Sequence, residues 1–256
     1  MDRYARCSGQ LIGPSFYVRP EDVEGDRLIL RGDEAHHAVH VRRCRIGDRV
    51  DVVNGVGTGY SVRVEGMEQG ELYGRIEETW REPGEPHSLL TLVLALLKGN
   101  RFDWVVEKAT EMGVRRIIPV RMARTVALSP GSGKVARWRR IARSAMKQCG
   151  RSRLPEIGPV VPWPDAVQQM QRMDVVLVAW EGREARSLHS VLLEDRSRIE
   201  RVGVIVGPEG GYAQEELDAM KTAGFHFFSL GSRRLRAETA AILAMGIVLY
   251  ELEDLG

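Results

Sequence analysis

The first third of the chain alternates apolar and polar residues over short stretches, as half-buried β-strands do. The stretches with this pattern are residues 27–30, 49–53, 60–65 and 71–78. A short helix is expected from Asp33 to Arg43, between the first two of them. Residues 80–87, WREPGEPH, contain two prolines and a glycine among charged residues, which indicates a linker. The pattern predicts a small β-rich module that ends at this linker.

After the linker, apolar runs alternate with amphipathic segments. Residues 89–97 form a continuous apolar run, which is typical of a parallel strand buried on both faces. Further strands are expected at residues 115–120, 174–180, 202–206 and 225–229. Helices are expected at about residues 101–112, 134–149, 213–223 and 237–252. Such alternation predicts an α/β domain with a parallel sheet and helices on both faces.

Two of the predicted strands run into loops that could hold a ligand. Strand 202–206 continues into GPEGGYAQEEL and strand 225–229 into LGSRRLRAETA, and a helix follows each loop. Gly207, Gly210 and Gly211 leave main-chain groups uncovered, so a ligand can approach the backbone closely. One such loop is equally explained as a plain turn. Two loops at strand ends favour the ligand site of an open α/β sheet.

These two loops resemble those of the RsmE-type ribosomal RNA uracil-N3 methyltransferases, knotted S-adenosylmethionine-dependent enzymes of the SPOUT superfamily. Segments 34–57, 97–120 and 136–157 also agree, so the resemblance extends from about Pro14 to the C-terminus. The chain departs from the family pattern at three positions. It has Arg234 in place of an aliphatic residue, Ala237 in place of Thr, and Ser15 in place of Arg.

The resemblance implies an architecture and an activity. It implies a PUA-like β-barrel that binds RNA at residues 14–80 and a trefoil-knotted α/β methyltransferase domain at residues 88–256. It also implies a homodimer, S-adenosylmethionine as cofactor, and N3 of a uridine in 16S ribosomal RNA as target. The alternatives are a SPOUT enzyme that methylates another RNA, such as tRNA ribose, and a non-catalytic ribosome-assembly factor. The sequence leaves open whether free RNA or an assembled small subunit is the substrate.

The two loops supply the expected site residues. The cofactor-binding candidates are Val206, Gly207, Pro208, Glu209, Gly210, Gly211, Leu230, Gly231, Leu235 and Thr239. Arg236 is expected to stabilise the negative charge that develops on uracil as N3 loses its proton. Glu238 is a candidate to accept that proton or to orient a neighbour. Ordinary first-turn roles in a helix would also explain Glu209, Glu238 and Thr239.

A basic run suggests where RNA binds. From Lys134 to Arg153 there are eight Lys or Arg residues and no Asp or Glu. A run of one sign favours an anionic partner, and RNA phosphate is the expected one. The loop GRSR is expected to present the guanidiniums of Arg151 and Arg153 after the helix. The RNA-binding candidates are His36, Arg42, Arg43, Lys98, Arg140, Arg143, Lys147, Arg151 and Arg153. An exposed helix face explains the first three equally well.

Composition narrows the class of protein. The chain has 256 residues, a net charge of +2, 43% hydrophobic residues and three widely spaced cysteines. The cysteines predict a reducing, cytoplasmic location without disulfides or a zinc site. No 18-residue apolar run occurs, so neither secretion nor a membrane span is expected. His36 and His40 lack a third ligand nearby, and no metal is expected. The segment NGVGTGY, 54–60, is expected to form a hairpin or bulge because a strand follows it.

Overall fold

The computed structural model describes residues 15–127, 131–182, 185–192 and 199–255. The chain forms two compact units. The first contains the described residues up to Glu85 together with Arg143–Leu154, and the second contains Pro86–Ala142 and the described residues from Pro155 onward. The helix over residues 132–149 therefore contributes to both units, a feature that its local periodicity does not indicate.

Six strands form the sheet of the first unit. They are β1 (Phe16–Tyr17), β2 (Val23–Glu24), β3 (Arg27–Leu30), β4 (Arg49–Val53), β5 (Thr58–Glu68) and β6 (Glu71–Arg81). Their order is β1-β4-β5-β6-β3-β2, and every pairing is antiparallel except that of β1 with β4. The alternating pattern buries Leu28, Leu30, Val62 and Val64 in one apolar core. Strands β5 and β6 are longer than predicted, so the start of the predicted linker belongs to β6.

Of two local predictions for the first unit, the hairpin is confirmed and the helix differs from its prediction. The hairpin at residues 54–60 is confirmed, because Val53 of β4 pairs with Gly59 of β5 across it. The helix predicted from Asp33 to Arg43 is shorter and irregular. It consists of α1 (Gly32–His36) and one π-helical turn (His37–Val41). Arg43 has a φ of 54°, which a continued right-handed helix does not allow.

The second unit contains eight strands. They are β7 (Leu89–Ala95), β8 (Arg116–Arg121), β9 (Glu156–Ile157), β10 (Val161–Pro162), β11 (Val175–Ala179), β12 (Arg186–Ser187), β13 (Arg201–Val206) and β14 (His226–Ser229). The order is β10-β8-β7-β13-β11-β14-β12, with β9 beside β8, and every pairing is parallel. The predicted parallel α/β sheet is confirmed. The trefoil knot and the domain bounds 14–80 and 88–256 stay predictions.

In the described part of the chain six helices accompany this sheet, and the last turns of one of them belong to the first unit. They are α2 (Arg101–Glu111), α3 (Ser132–Cys149), α4 (Trp163–Met170), α5 (Leu188–Leu192), α6 (Gln214–Thr222) and α7 (Ala237–Glu251). The sequence pattern missed α4 and α5, since one or two turns give little periodic signal. Within the described parts of the chain, no helix combines the length and apolar character of a membrane span.

Helix α3 has one apolar stripe. Trp138, Ala142, Ala145 and Met146 are buried on it. The indole N–H of Trp138 donates to Oδ1 of Asp103 at 2.8 Å, which satisfies a polar group in the core. The helix ends at Gly150, whose φ of 77° lies in the left-handed region that glycine adopts without strain.

Candidate active site

A cavity of about 850 Å³ lies at the carboxyl ends of three neighbouring strands of the second unit. The loops that follow β13, β11 and β14 form its walls. Ligands of open α/β sheets bind at this edge, and the volume lies within the range of small-molecule sites, roughly 300–1,000 Å³. The two loops singled out in the sequence therefore meet at one cavity.

Nine of the ten predicted cofactor residues line this cavity. They are Val206, Gly207, Pro208, Glu209, Gly210, Gly211, Leu230, Gly231 and Leu235. Thr239, the tenth, is exposed and does not line it. The helical period explains this: Ala237 and Ala240, three residues apart on α7, occupy the face that lines the cavity. The first turn of α7 thus contributes small side chains rather than a hydroxyl.

Gly207, which follows β13, must be a glycine because the ring of Tyr212 lies close to its Cα. A Cβ on Gly207 would lie 2.8 Å from two ring carbons of Tyr212, closer than carbon atoms normally pack. The Tyr212 hydroxyl donates to the carbonyl of Ile205 at 3.4 Å, and burial raises the pKa of the phenol, so it stays neutral. The glycine lets this ring pack beneath the loop while the loop backbone remains open to the cavity.

A buried carboxylate ties the segment after β8 to the start of α6. Glu216 accepts the backbone N–H of Ala123 at 2.7 Å and that of Ala213 at 2.9 Å. Next to this anchor, Arg124 donates to the carbonyl of Gly210 at 3.3 Å and lines the cavity. The sequence analysis did not include Arg124. Glu216 is the third residue of α6, so its bond to the Ala213 N–H is the capping bond that this position predicts. Its bond to the Ala123 N–H could not be predicted from the sequence.

Charged pairs occupy the cavity walls. Arg101 forms an ion pair with Glu209, and Nε of Arg234 lies 3.5 Å from Oε2 of Glu181. The first pair joins the start of α2 to the loop after β13, and the second joins the loops after β14 and β11. Both are partly exposed, and each contributes little to stability, about 0–1 kcal/mol. Their effect is to fix where the carboxylates of Glu209 and Glu181 lie.

The two predicted catalytic residues lie next to each other but in different surroundings. Arg236 lines the cavity, and its side chain is 79% exposed. Glu238 does not line the cavity, and its side chain is 12% exposed. Oε1 of Glu238 is 4.0 Å from Nη1 of Arg236, and among the described residues its Oε2 has no hydrogen-bond partner. The carboxylate lies behind the guanidinium rather than at the cavity surface.

Sequence reasoning missed the third wall. Ala179, the last residue of β11, and the next two residues, Trp180 and Glu181, line the cavity. The Trp180 ring lies 5.3 Å from that of Phe227 in an edge-to-face arrangement. A signal was available. The strand VVLVA ends at the same sheet edge as the two strands with recognised loops, so its carboxyl end was a further candidate.

The predicted RNA-binding residues separate into two groups. Six of them are exposed: His36, Arg42, Arg43, Lys98, Arg140 and Arg143. Arg143 also lies over the ring of Tyr17, 4.7 Å from its centroid. The other three are paired with carboxylates inside the first unit: Lys147 with Glu34 at 2.6 Å, Arg151 with Glu85 at 2.6 Å, and Arg153 with Glu82.

The expectation that Arg151 is presented to RNA is wrong. Its side chain is 2% exposed and that of Glu85 is 5% exposed. Glu85 also accepts the backbone N–H groups of Ser152 and Arg153, so the loop GRSR folds around this carboxylate. The anion that balances the end of the basic run is therefore a glutamate from a segment 66 residues earlier in the chain.

Comparison with known proteins gives the family. A family model described as RNA methyltransferase domain matches residues 84–249, and one described as RNA methyltransferase PUA domain matches residues 30–77. Ribosomal RNA small subunit methyltransferase E of Mycobacterium tuberculosis is 34% identical over 245 residues, which is 93% of this chain and 92% of that protein. The chain belongs to the ribosomal RNA small subunit methyltransferase E family.

Other family members agree in sequence and in fold. The Bacillus subtilis protein of the same name is 27% identical, over 90% of this chain and 92% of its own length. The Neisseria gonorrhoeae enzyme bound to S-adenosylmethionine has a TM-score of 0.80 at 27% identity, covering 93% of this chain and 98% of that one. A Legionella pneumophila methyltransferase in complex with the same cofactor has a TM-score of 0.81 at 26% identity, covering 94% and 98%.

Proposed function

We propose that this chain transfers the methyl group of S-adenosylmethionine to N3 of a uridine in 16S ribosomal RNA. The observation that carries the proposal is the cavity at the ends of β13, β11 and β14, where the glycine loop and the arginine loop meet. The Mycobacterium tuberculosis and Neisseria gonorrhoeae relatives named as small subunit methyltransferases support it, and the structures of the latter and of the Legionella pneumophila methyltransferase contain the cofactor.

The cavity fits the proposed cofactor. Gly207, Gly210 and Gly211 leave the backbone open on one wall, and Leu230 and Leu235 supply apolar surface on another. The bound cofactor supplies an electrophilic methyl group on a sulfonium. The remaining task of the protein is mainly to hold the uracil nitrogen in line with that group. The residues on the cavity walls are those that orient both partners.

Arg236 is proposed to stabilise the uracil anion. N3 of uracil has a proton that must leave before or during methyl transfer, and negative charge then spreads to the two carbonyl oxygens. The exposed guanidinium of Arg236 can donate to those oxygens from the cavity wall. Because Glu238 lies behind Arg236 rather than at the surface, the geometry favours an orienting role for it. Water is then the acceptor of the N3 proton.

RNA capture is proposed for the exposed basic residues. His36, Arg42, Arg43, Lys98, Arg140 and Arg143 keep their charged ends accessible. Phosphate contacts of this kind release counterions, so RNA affinity should fall as salt is raised. Bacterial ribosomal RNA is assembled into subunits in the cytoplasm. We therefore propose a cytoplasmic location for this chain.

A homodimer is proposed from the surface of α7. Seven of its fifteen residues are buried, and Leu243 and Tyr250, seven residues apart on one face, are 42% and 65% exposed. Large apolar side chains exposed on one face of a partly buried helix favour burial by a second copy. Light scattering at micromolar concentration should give the mass of a dimer, and a monomer mass would contradict this part of the proposal.

The function is tested by nucleoside mass spectrometry. Purified protein and labelled cofactor are incubated with unmethylated 16S RNA or with small subunits that lack the modification, and the RNA is digested to nucleosides. The expected product is 3-methyluridine. A 2′-O-methylated nucleoside would favour the alternative of a ribose methyltransferase whose natural substrate is another RNA. Cofactor binding without any methylated product would favour a non-catalytic assembly factor. Comparing the two substrates decides between free RNA and the subunit.

A further inference from the structure

The cavity has more positive charge than its proposed cofactor requires. Of the residues that the structure describes, five arginines and two glutamates line it, and their formal charges sum to +3 at pH 7. S-adenosylmethionine has a sulfonium and an ammonium against a single carboxylate, so it is itself a cation. A surplus of positive charge repels such a ligand and attracts an anion. The surplus is therefore expected to serve a second, anionic ligand at the same place.

The five arginines differ in whether a carboxylate of the protein balances them. Arg101 pairs with Glu209, Arg234 with Glu181, and Arg236 lies beside Glu238. Arg124 and Arg233, which we term the rim arginines, have no carboxylate within 4 Å among the residues that the structure describes. Both side chains are exposed, and the one hydrogen bond described for Arg124 is to the carbonyl of Gly210.

The rim arginines reach the cavity from opposite sides of β13. Arg124 follows β8, which lies beyond β7 on one side of β13. Arg233 follows β14, which lies beyond β11 on the other side. A nucleotide whose base enters the cavity at the end of β13 would therefore have one cation on each side of it. If a single RNA strand continues past the cavity in both directions, the phosphate on each side of the target nucleotide lies near one of these two arginines.

We propose that Arg124 and Arg233 bind the phosphodiesters that flank the target nucleotide and hold the RNA strand across the cavity. The inference rests on the proposed function for the identity of the ligand, an RNA single strand with its target base extruded. Contacts to phosphate position the strand without reading its sequence. Base recognition stays with the residues inside the cavity.

The test measures how RNA affinity depends on salt. Arg124→Ala, Arg233→Ala and the corresponding Lys variants are compared with wild type for binding to unmethylated 16S RNA transcribed in vitro. Each lost phosphate contact should reduce the slope of log affinity against log salt by about 0.7 in magnitude. Lysine keeps the point charge, so the Lys variants should restore the slope. S-adenosylmethionine affinity, measured by calorimetry on the same variants, shows whether the cavity itself is intact, because Arg124 also donates to the carbonyl of Gly210.

Arg172 offers a matched control. It is exposed and lies between α4 and β11, at the amino ends of the strands, the sheet edge opposite the cavity. Arg172→Ala removes the same charge and should leave the slope unchanged. A slope that is unchanged in both rim variants, or that falls equally in the control, overturns the proposal. A weaker cofactor affinity with an unchanged slope would assign Arg124 to the loop structure instead and also overturns it.

Methylation of the same RNA by wild type separates this inference from the proposed function. Formation of 3-methyluridine together with unchanged slopes removes the rim arginines from RNA binding and leaves the function standing. Reduced slopes without any methylated product keep the phosphate contacts and remove the function.

Discussion

The paired residues of the basic run, in α3 and the loop that follows it, and the rim arginines of the cavity are all positively charged, but they differ in what faces the charge. In the run, carboxylates of the protein face Arg137, Lys147, Arg151 and Arg153, and Arg139 donates to the carbonyl of Ile157. At the cavity, the rim arginines have no such partner in the described part of the chain.

The difference teaches that positive charge in a sequence and positive charge available to a ligand are separate properties. A guanidinium enclosed by a carboxylate has lost its hydration and its free donors, so it supports the fold. A guanidinium at a cavity edge keeps both and can bind an anion that arrives later. Removing the two kinds of arginine should therefore change different measurements.

The largest expected effect comes from breaking the buried pair. Arg151→Ala leaves the carboxylate of Glu85 buried without its cation, which should lower the free energy of unfolding by about 3–5 kcal/mol. Arg153→Ala is the matched control. Its pair with Glu82 is partly exposed, and the loss should be about 0–1 kcal/mol. Urea denaturation followed by circular dichroism measures both, and equal losses would show that burial does not distinguish the pairs.

Next in size is the effect of Arg236, the arginine proposed to stabilise the uracil anion. Arg236→Ala should slow methyl transfer roughly a hundredfold, the usual scale for losing one preorganised donor, while the unfolding free energy changes by less than about 1 kcal/mol. Single-turnover kinetics at saturating RNA and cofactor isolates this step. A wild-type rate would transfer the electrostatic role to another cavity residue. A loss of stability instead of rate would place Arg236 with the structural arginines.

A smaller effect tests whether the charged cavity is also the cofactor site. Gly207→Ala adds a Cβ that would meet the ring of Tyr212, and the strain should weaken S-adenosylmethionine binding about tenfold. Gly158→Ala is a suitable control, because nothing lies within 4 Å of its added Cβ. Calorimetry on both variants gives the comparison. Equal affinities would show that the glycine loop does not contact the cofactor.

The smallest effect is expected from an exposed pair outside both regions. The hydrogen bond from the Arg201 side chain is the main cause of a lowered pKa for Asp174. Because the pKa of Asp174 is lower in the folded state, the ionised carboxylate stabilises the fold at pH values above 3.8, its ordinary pKa. This contribution is lost as the pH falls below that value. Asp174→Asn should therefore cost less than about 1 kcal/mol at pH 7. Wild type and variant should converge in acid, and a gap that persists at low pH would contradict the assignment.

Local periodicity predicted the parts of the fold whose signals are local. The long apolar strands β7 and β13, the helices α2 and α6 and the two ligand loops all followed from pattern and turn residues. Helices α4 and α5 and the two-residue strands were missed because each spans too few repeats for a periodic pattern to be recognised. The same limit explains the irregular helix after Gly32.

Partners that are distant in sequence were not predictable. Glu85 is separated from Arg151 by 66 residues, and Arg124 from Gly210 by 86. Only the order of strands in the sheet and the path of α3 bring such residues together. The pattern of the basic run therefore gave no sign that Arg151 is buried against Glu85, and an isolated arginine after β8 gave no signal at all.

Trp180, at the end of β11, gives the cavity an optical property. The chain has five tryptophans, and of the described residues that line the cavity only this one is an indole. Its ring lies against Phe227 and within 5.9 Å of the Lys221 ammonium, so its emission depends on the polarity and charge around it. A ligand that enters the cavity should shift this intrinsic fluorescence, and Trp180→Phe should abolish the shift. Occupancy of the site can then be followed in real time without a label.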